Sequence, residues 1–446
     1  MAAVATVVAL LCLPLLVPKL NAYRSVDAAE IAQVWDLPLP QLEALRDRSI
    51  ASIDDLRADR LQMLASRILV DPKGQLDHFY GALLKGGVVR VVHYGDSPTT
   101  ADLITADVRG MLQQQFGDGG AGFVLIARPW AWYGHRGIGM DAANWTIAVA
   151  GRPEFRDGLF GLGSSRFQGS AGAVANWSLK GGQSQSVEVA YQSRPGGGSF
   201  VFEAEGQEVG SADTNAPEAQ PAYATFTLPP HSSELRLRVT KGEVQLYGVE
   251  FRRDRPGVLY SSLGVNGASV TLLSRSFNKA HLIAQLQHYR PDLVVLAYGT
   301  NESGFPDFVD KAWADEMQLA VARIRAALPE TSILLMSPMD RGELKSDGSI
   351  GTIATLPRMV LKERQVASET GVAFFNTFEA MGGSGTMAKW YSSQPRLVGA
   401  DYIHPLPAGA KIVGELLYNS LRDGFSAYKL RKLAQRASLP VEPGKR

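Results

Sequence analysis

At 446 residues, with 45% apolar and 20% charged side chains, the chain is long enough for two or three globular domains and too apolar for disorder throughout. A net charge of +1 supplies no general pull on nucleic acid or anionic lipid, so a nucleic-acid partner is not expected. The single cysteine, Cys12, excludes a disulfide framework and a cysteine-rich metal site, and the seven histidines lack the close pairing that zinc hydrolases place on one helix. Neither a metal nor another cofactor is expected.

Ala2 to Val17 is almost continuously apolar and runs into Pro18-Lys19-Leu20-Asn21-Ala22, the pattern of a secretory h-region meeting a small-residue cleavage site, here without a basic n-region. Residues 1–24 are therefore read as a signal peptide, with an uncleaved membrane anchor as the alternative, and a periplasmic or secreted location is expected. Residues 25–87 follow helical spacing. Ser52-x-x-Asp55 has the form of a capping box, Leu56, Leu61, Leu64 and Ile68 follow it, and Asp71-Pro72-Lys73-Gly74 ends the run. Tyr80, Leu83 and Leu84 continue as a short helix.

Val88 to Tyr94 is a β-branched apolar run that reads as a buried strand, broken at Gly95-Asp96-Ser97 and followed by a helical pattern from Ala101 to Phe116. In such a strand-turn-helix, Ser97 stands at the helix N-cap, with Pro98 in the first helical position. Its N–H then points where negative charge is stabilised. Next comes Arg128-Pro129-Trp130-Ala131-Trp132-Tyr133-Gly134-His135-Arg136, in which Trp130, Trp132, Tyr133 and His135 are candidates for a ligand-facing wall or for core between domains. From about Asp141 to Arg253 the character changes to short period-two segments, such as Ser186–Tyr191, Ser199–Ala204 and Glu234–Val239, punctuated by Gly, Pro, Ser and Asn. This reads as a β-sandwich or jelly roll (141–253) inserted in an α/β domain whose two parts are 88–140 and 254–425.

The α/β pattern resumes with Gly257–Ala268 and a helix after it, then strands at Leu293–Ala297, Ile333–Met336 and Val372–Phe375 alternate with helices at about 312–328 and 357–370. That alternation implies a mainly parallel sheet covered on both faces, with a site at its C-terminal strand ends. Ser97, Gly264 and Asn301 each fall just after such a strand. The final block, Gly399-Ala400-Asp401-Tyr402-Ile403-His404-Pro405, places His404 on an extended loop ahead of the last helix, with Asp401 able to turn back to the imidazole. Residues 426–446 form a basic tail, read as a solvated helix.

An acyl-transfer enzyme needs a hydroxyl nucleophile, a base for its proton and a carboxylate to orient the base. Ser97, His404 and Asp401 can fill those roles. Donors for the tetrahedral oxyanion are available in the Ser97 N–H, the Gly264 N–H and the Asn301 amide. Trp390 and Tyr391, just ahead of Asp401, are candidates to floor an acyl pocket or stack on a sugar. Asp96 and His93 are read as structural.

Gly95-Asp96-Ser97, Gly264 in Leu263-Gly264-Val265-Asn266-Gly267-Ala268, Gly299-Thr300-Asn301-Glu302 and Asp401-x-x-His404 together resemble the four ordered blocks of the SGNH, or GDSL-type, hydrolases. The layout with a β insert between the first two blocks is similar to bacterial peptidoglycan O-acetylesterases. The resemblance implies a flavodoxin-like three-layer hydrolase domain with a carbohydrate-binding-like insert. It also implies an esterase removing acetyl groups from a cell-wall polysaccharide, peptidoglycan before others, through an acetyl-serine and without a cofactor. The direction of transfer is left open: the same triad serves polysaccharide O-acetyltransferases, and a non-catalytic glycan-binding protein is the third reading. For the esterase the partner is an acetylated glycan substrate.

Overall fold

The structure, a computed structural model, describes residues 68–152, 154–180 and 184–437. The signal-peptide or anchor reading of 1–24, Cys12 and the Ser52–Asp55 capping box lie outside the described residues. Six strands build the α/β sheet: β1 (Leu69–Val70), β2 (Val88–Gly95), β3 (Gly257–Gly264), β4 (Leu293–Ala297), β5 (Ser332–Met336) and β6 (Ala373–Phe375). Their spatial order is β1-β6-β5-β4-β2-β3; β2 to β6 run parallel and the two-residue β1 joins β6 antiparallel. Without β1 this is the 2-1-3-4-5 order of flavodoxin-like sheets, in which the connections change direction between β2 and β4 and open a crevice at their C-terminal ends.

Period-two alternation explains why both faces are covered. Val89, Val91, Val258, Tyr260, Leu293, Val295, Leu334 and Met336 point to one side, against α1 (Asp77–Lys85), α3 (Leu103–Phe116) and α7 (Pro407–Ala437). On the other side Val92, Tyr94, Val294, Leu296, Ile333 and Leu335 meet α4 (Lys279–Tyr289), α5 (Trp313–Ala327) and α6 (Leu356–Thr370). Between β2 and α3 lies the four-residue α2, Ser97–Thr100. The helix expected from Ala101 thus begins at Leu103, parted from α2 at Asp102, whose backbone is left-handed at φ 54°.

The chain leaves this layer after α3 and returns at β3. Between them, two antiparallel sheets face each other. One has the order Gln207–Asp213, Ser199–Ala204, Glu234–Lys241, Val174–Leu179, Ile138–Ala143. The other runs Gln220–Thr227, Ser186–Ser193, Glu243–Arg252, Ser165–Ser170, Thr146–Val149, with Gly122–Val124 also paired to Glu243–Arg252. Buried aromatic rings fill the space, Trp177 stacking on Phe202 at 6.1 Å and Phe202 on Phe226 at 5.6 Å. The sandwich therefore takes in Gly122 to Val124, ahead of the expected start at 141, because Phe123 and Val124 are core residues of its second sheet.

The C-terminal end also differs from expectation. Helix α7 runs unbroken through 425/426, and Phe425 and Tyr428 pack on Tyr80 of α1 at 6.1 and 5.9 Å, so the start of the supposed tail is part of the core. Among the described residues no helix is long and apolar enough to cross a membrane.

Candidate active site

Ser97 opens α2 at the C-terminal end of β2. Asp96 occupies the N-cap and Ser97 the first helical position, one residue further in than the sequence suggested, with Pro98 behind it. The Thr99 and Thr100 N–H groups close back on the Asp96 carbonyl at 3.1 and 3.2 Å. Two glycines permit the tight turn. A Cβ on Gly95 would stand 2.2 Å from Thr99 Oγ1, and one on Gly264 would stand 2.3 Å from Thr100 N. The end of β3 is thus pressed directly against the helix that carries the serine.

His404 reaches the same point from the loop before α7. Its Nε2 lies 2.8 Å from Ser97 Oγ, and its Nδ1–H donates to Asp401 Oδ2 at 2.6 Å. The other Asp401 oxygen accepts the backbone N–H groups of Ile403 (3.0 Å) and His404 (3.1 Å). This carboxylate therefore fixes the imidazole tautomer and is itself fixed. Burial alone would raise the Asp401 pKa, but the His404 hydrogen bond and those two N–H groups outweigh it and hold the carboxyl below its usual range. The loop is clasped at its base by Gly399 N–H to His404 O at 2.8 Å and by Leu406 N–H to Leu397 O at 2.8 Å. Side-chain exposures of 47% for His404 and 48% for Asp401 leave the site open to water.

The two further oxyanion candidates flank Ser97. Gly264 ends β3 opposite Gly95, and the next ladder bond runs from Val265 N–H to Gly95 O at 3.0 Å. Asn301 follows β4; one hydrogen of its amide goes to Ala268 O at 2.8 Å, and an amide nitrogen carries two. Ser97, Asp401, His404, Gly264 and Asn301 are thus carried at one end of the sheet.

The aromatic candidates divide. Trp132 is 57% exposed, whereas Tyr133 is buried and accepts the Leu125 N–H at 3.0 Å, and Trp130 meets the Tyr133 ring edge-on at 6.1 Å. His135 is buried, with Nε2 2.9 Å from Ala121 O, and burial first, then the Arg109 charge, push its pKa down to about 4. Arg136 pairs with Asp107 rather than facing a ligand. Trp390 is a core residue, and Tyr391 lies between the Arg396 guanidinium (4.1 Å) and the Tyr402 ring (4.8 Å), bracing the Asp401–His404 loop from behind. An acyl-pocket floor or a ligand wall is therefore not what Trp390, Tyr133 and His135 provide: each side chain is consumed by packing. His93 is buried and neutral, 2.7 Å from Tyr260 Oη, with burial lowering its pKa to about 3.

Sequence reasoning missed Asp102. Its buried carboxylate takes both Arg109 nitrogens (3.0 and 2.7 Å), the Thr105 hydroxyl (2.6 Å) and the Arg136 N–H (2.8 Å). Thr105 in turn touches Ser262 Oγ, which donates to Thr99 O. The network ties α2, α3, β3 and the Trp132 loop together, and no local signal in the sequence marks it, because Asp102 falls inside the helical run expected from Ala101. Burial raises the Asp102 pKa, but Arg109 and His135, then the hydrogen bonds, outweigh it and bring it to about 2. A depressed carboxyl stabilises the fold above its unfolded pKa and loses that contribution as pH falls through the folded value, here from about 4 to about 2. Asp102→Asn is accordingly expected to cost about 2 kcal/mol at neutral pH, the deficit shrinking across that acid window in denaturant titrations.

Among the described residues no group of three or more His, Cys, Asp or Glu is arranged to hold a metal ion. Residues 244–412 match the model of the GDSL-like lipase/acylhydrolase family. No curated protein sequence matches the chain. Among solved structures, a peptidoglycan O-acetylesterase is similar over 80% of this chain and 99% of its own, at 24% identity and a TM-score of 0.68, and it shares the fold. A Bacillus subtilis protein (14% identity, 64% of this chain and 90% of that one, TM-score 0.32) and a family two carbohydrate esterase from Clostridium thermocellum, solved with cellohexaose (14%, 63% and 99%, 0.27), are more distant.

Proposed function

We propose that this chain, with its GDSL-like lipase/acylhydrolase segment and the fold of a peptidoglycan O-acetylesterase, is a serine esterase that removes O-acetyl groups from a cell-wall polysaccharide, peptidoglycan first among them. The observation that carries the reading is the unbroken Ser97–His404–Asp401 hydrogen-bond chain at the switch point of the sheet. Ser97 Oγ attacks the acetyl carbonyl as its proton passes to His404 Nε2, and Asp401 stabilises the imidazolium. The oxyanion is met by the Ser97 and Gly264 N–H groups and the second hydrogen of the Asn301 amide. Collapse expels the sugar oxygen, which takes the proton from His404. Water, activated by the same imidazole, then releases acetate from Ser97.

Exposure of His404 and Asp401 favours this hydrolytic outcome over transfer to a second sugar, because a transferase has to keep water from the acyl-serine. Export fits the substrate: the apolar Ala2–Val17 run and Pro18–Ala22 read as a secretory segment, cleaved or retained as an anchor, and the sandwich is assigned a glycan-facing role. The test is acetate release from O-acetylated peptidoglycan, beside acetylated xylan and an aryl acetate. Release from peptidoglycan supports the substrate class, and transfer of acetyl to a glycan acceptor without net acetate overturns the hydrolase reading.

A further inference from the structure

Two loops bring donors to the serine: the one after β3, which begins at Gly264, and the one after β4, which carries Asn301. They are joined by a buried carboxyl. Glu302, 1% exposed, accepts the Val270 N–H on Oε1 at 2.9 Å and the Gly299 N–H on Oε2 at 3.1 Å. One side chain thereby spans from the first loop to the second, parallel to the Asn301 bond to Ala268 O. The Asn301 loop is secured independently on its far side, by Arg341 Nη1 to Thr300 O at 2.6 Å and by Ser303 N–H to Gly299 O at 2.9 Å. On the side facing Gly264, Glu302 and Asn301 each supply a side-chain tie.

We propose that Glu302 is a positioning residue of the esterase: by bridging Val270 and Gly299 it sets the Asn301 amide and the Gly264 N–H at the spacing that receives the oxyanion. This rests on the serine-esterase reading above. A fully buried carboxylate beside a developing oxyanion would oppose it, and the two N–H groups directed at Glu302 offset part of its charge. Asp96, 2% exposed, and Glu363, wholly buried, add to its surroundings two further carboxyls that resist ionisation, and burial raises the pKa of Glu302 itself. The hydrogen bonds from the Val270 and Gly299 N–H groups work against that rise and hold both Glu302 oxygens in place.

The test is Glu302→Gln in the full chain, assayed on an aryl acetate with the active serines counted by a fluorophosphonate probe. Glutamine has one acceptor oxygen and presents an NH2 to the second N–H, so one end of the bridge opens. The expected result is a full serine titre, kcat per titrated site lower by about 10- to 100-fold and KM within about 2-fold, as for a partly withdrawn oxyanion donor. Combined with Asn301→Ala, the two losses should be less than multiplicative, because part of the Glu302 effect acts through the Asn301 amide that is already gone. An unchanged kcat per site, a titre that falls in proportion to activity, or multiplicative losses would overturn the role. If Glu302→Gln fails to fold, Glu302→Asp, one methylene too short to span both amides, must show the same split, and wild-type kcat in it overturns the proposal. A wild-type protein that neither titrates nor turns over ester removes the esterase reading itself; an active wild type with an unimpaired variant removes only the positioning role.

Discussion

Replacing Ser97 by alanine is expected to lower kcat/KM for acetate release by about 10⁴-fold or more while leaving the protein folded. The hydroxyl is the one group in the site that can form the acyl bond, and its hydrogen-bond partner is a half-exposed imidazole, so its loss leaves no buried group stranded. Asp401 continues to hold His404, Pro98 and the Asp96 carbonyl continue to hold α2, and Tm should stay within about 2 °C of wild type. Acetate release measured beside a thermal melt checks both halves. Activity retained in a folded variant would remove Ser97 from the chemistry and the esterase reading with it.

Gly264→Ala should be the most damaging conservative change outside the triad. The added methyl would meet Thr100 N at 2.3 Å, Thr99 C at 2.5 Å and Thr100 Cα at 2.7 Å. These are backbone atoms of α2, which cannot swing aside as a side chain would. β3 is hydrogen-bonded to β2 along its whole length, so the strain is relieved by lifting α2, and Ser97 moves with it. Overpacking of this kind costs about 1–3 kcal/mol, and displacing a nucleophile by about 1 Å costs about 100-fold in rate. Gly110→Ala is the control. It lies in α3, a Cβ there has no heavy atom within 4 Å, and the change should stabilise the protein by about 0.5–1 kcal/mol with activity unaltered. Denaturant midpoints and aryl-acetate kinetics on the two variants separate the steric effect from any general intolerance of alanine.

Ser97, His404 and Asp401 were legible because the chain marks them with local punctuation: a strand ending in Gly95-Asp96, and a proline after the histidine. Strand runs such as Leu293–Ala297 were legible for the same reason, being continuous apolar segments. Side chains whose role is settled by what packs over them were not legible. Tyr133 read as ligand wall or core alike, and Trp390 as an acyl-pocket floor or a sugar-stacking ring, because an aromatic side chain carries no local sign of which face the neighbouring element will cover. The two-residue β1 is too short for any periodicity, and exposed strands such as Ile138–Ala143 lack the alternation that a buried face imposes. Asp102 and Glu302 were invisible as organisers because their partners, Arg136 and Val270, are brought to them only by the fold.

The position of the sandwich within the crossover from β2 to β3 bears on how the protein reaches its native state. Residues 96–256 all lie between two strands that must pair side by side, and an unstructured segment of that length would carry a large closure entropy. A folded sandwich removes most of it, since Val124 near its entry already stands opposite Val249 near its exit. Collapse of the sandwich is therefore expected to precede docking of β3, making this a slow, non-local route in which the oxyanion side of the site is completed last. A destabilising lesion deep in the sandwich, far from any reacting atom, would then yield chains that synthesise the nucleophile turn correctly yet seldom mature into enzyme.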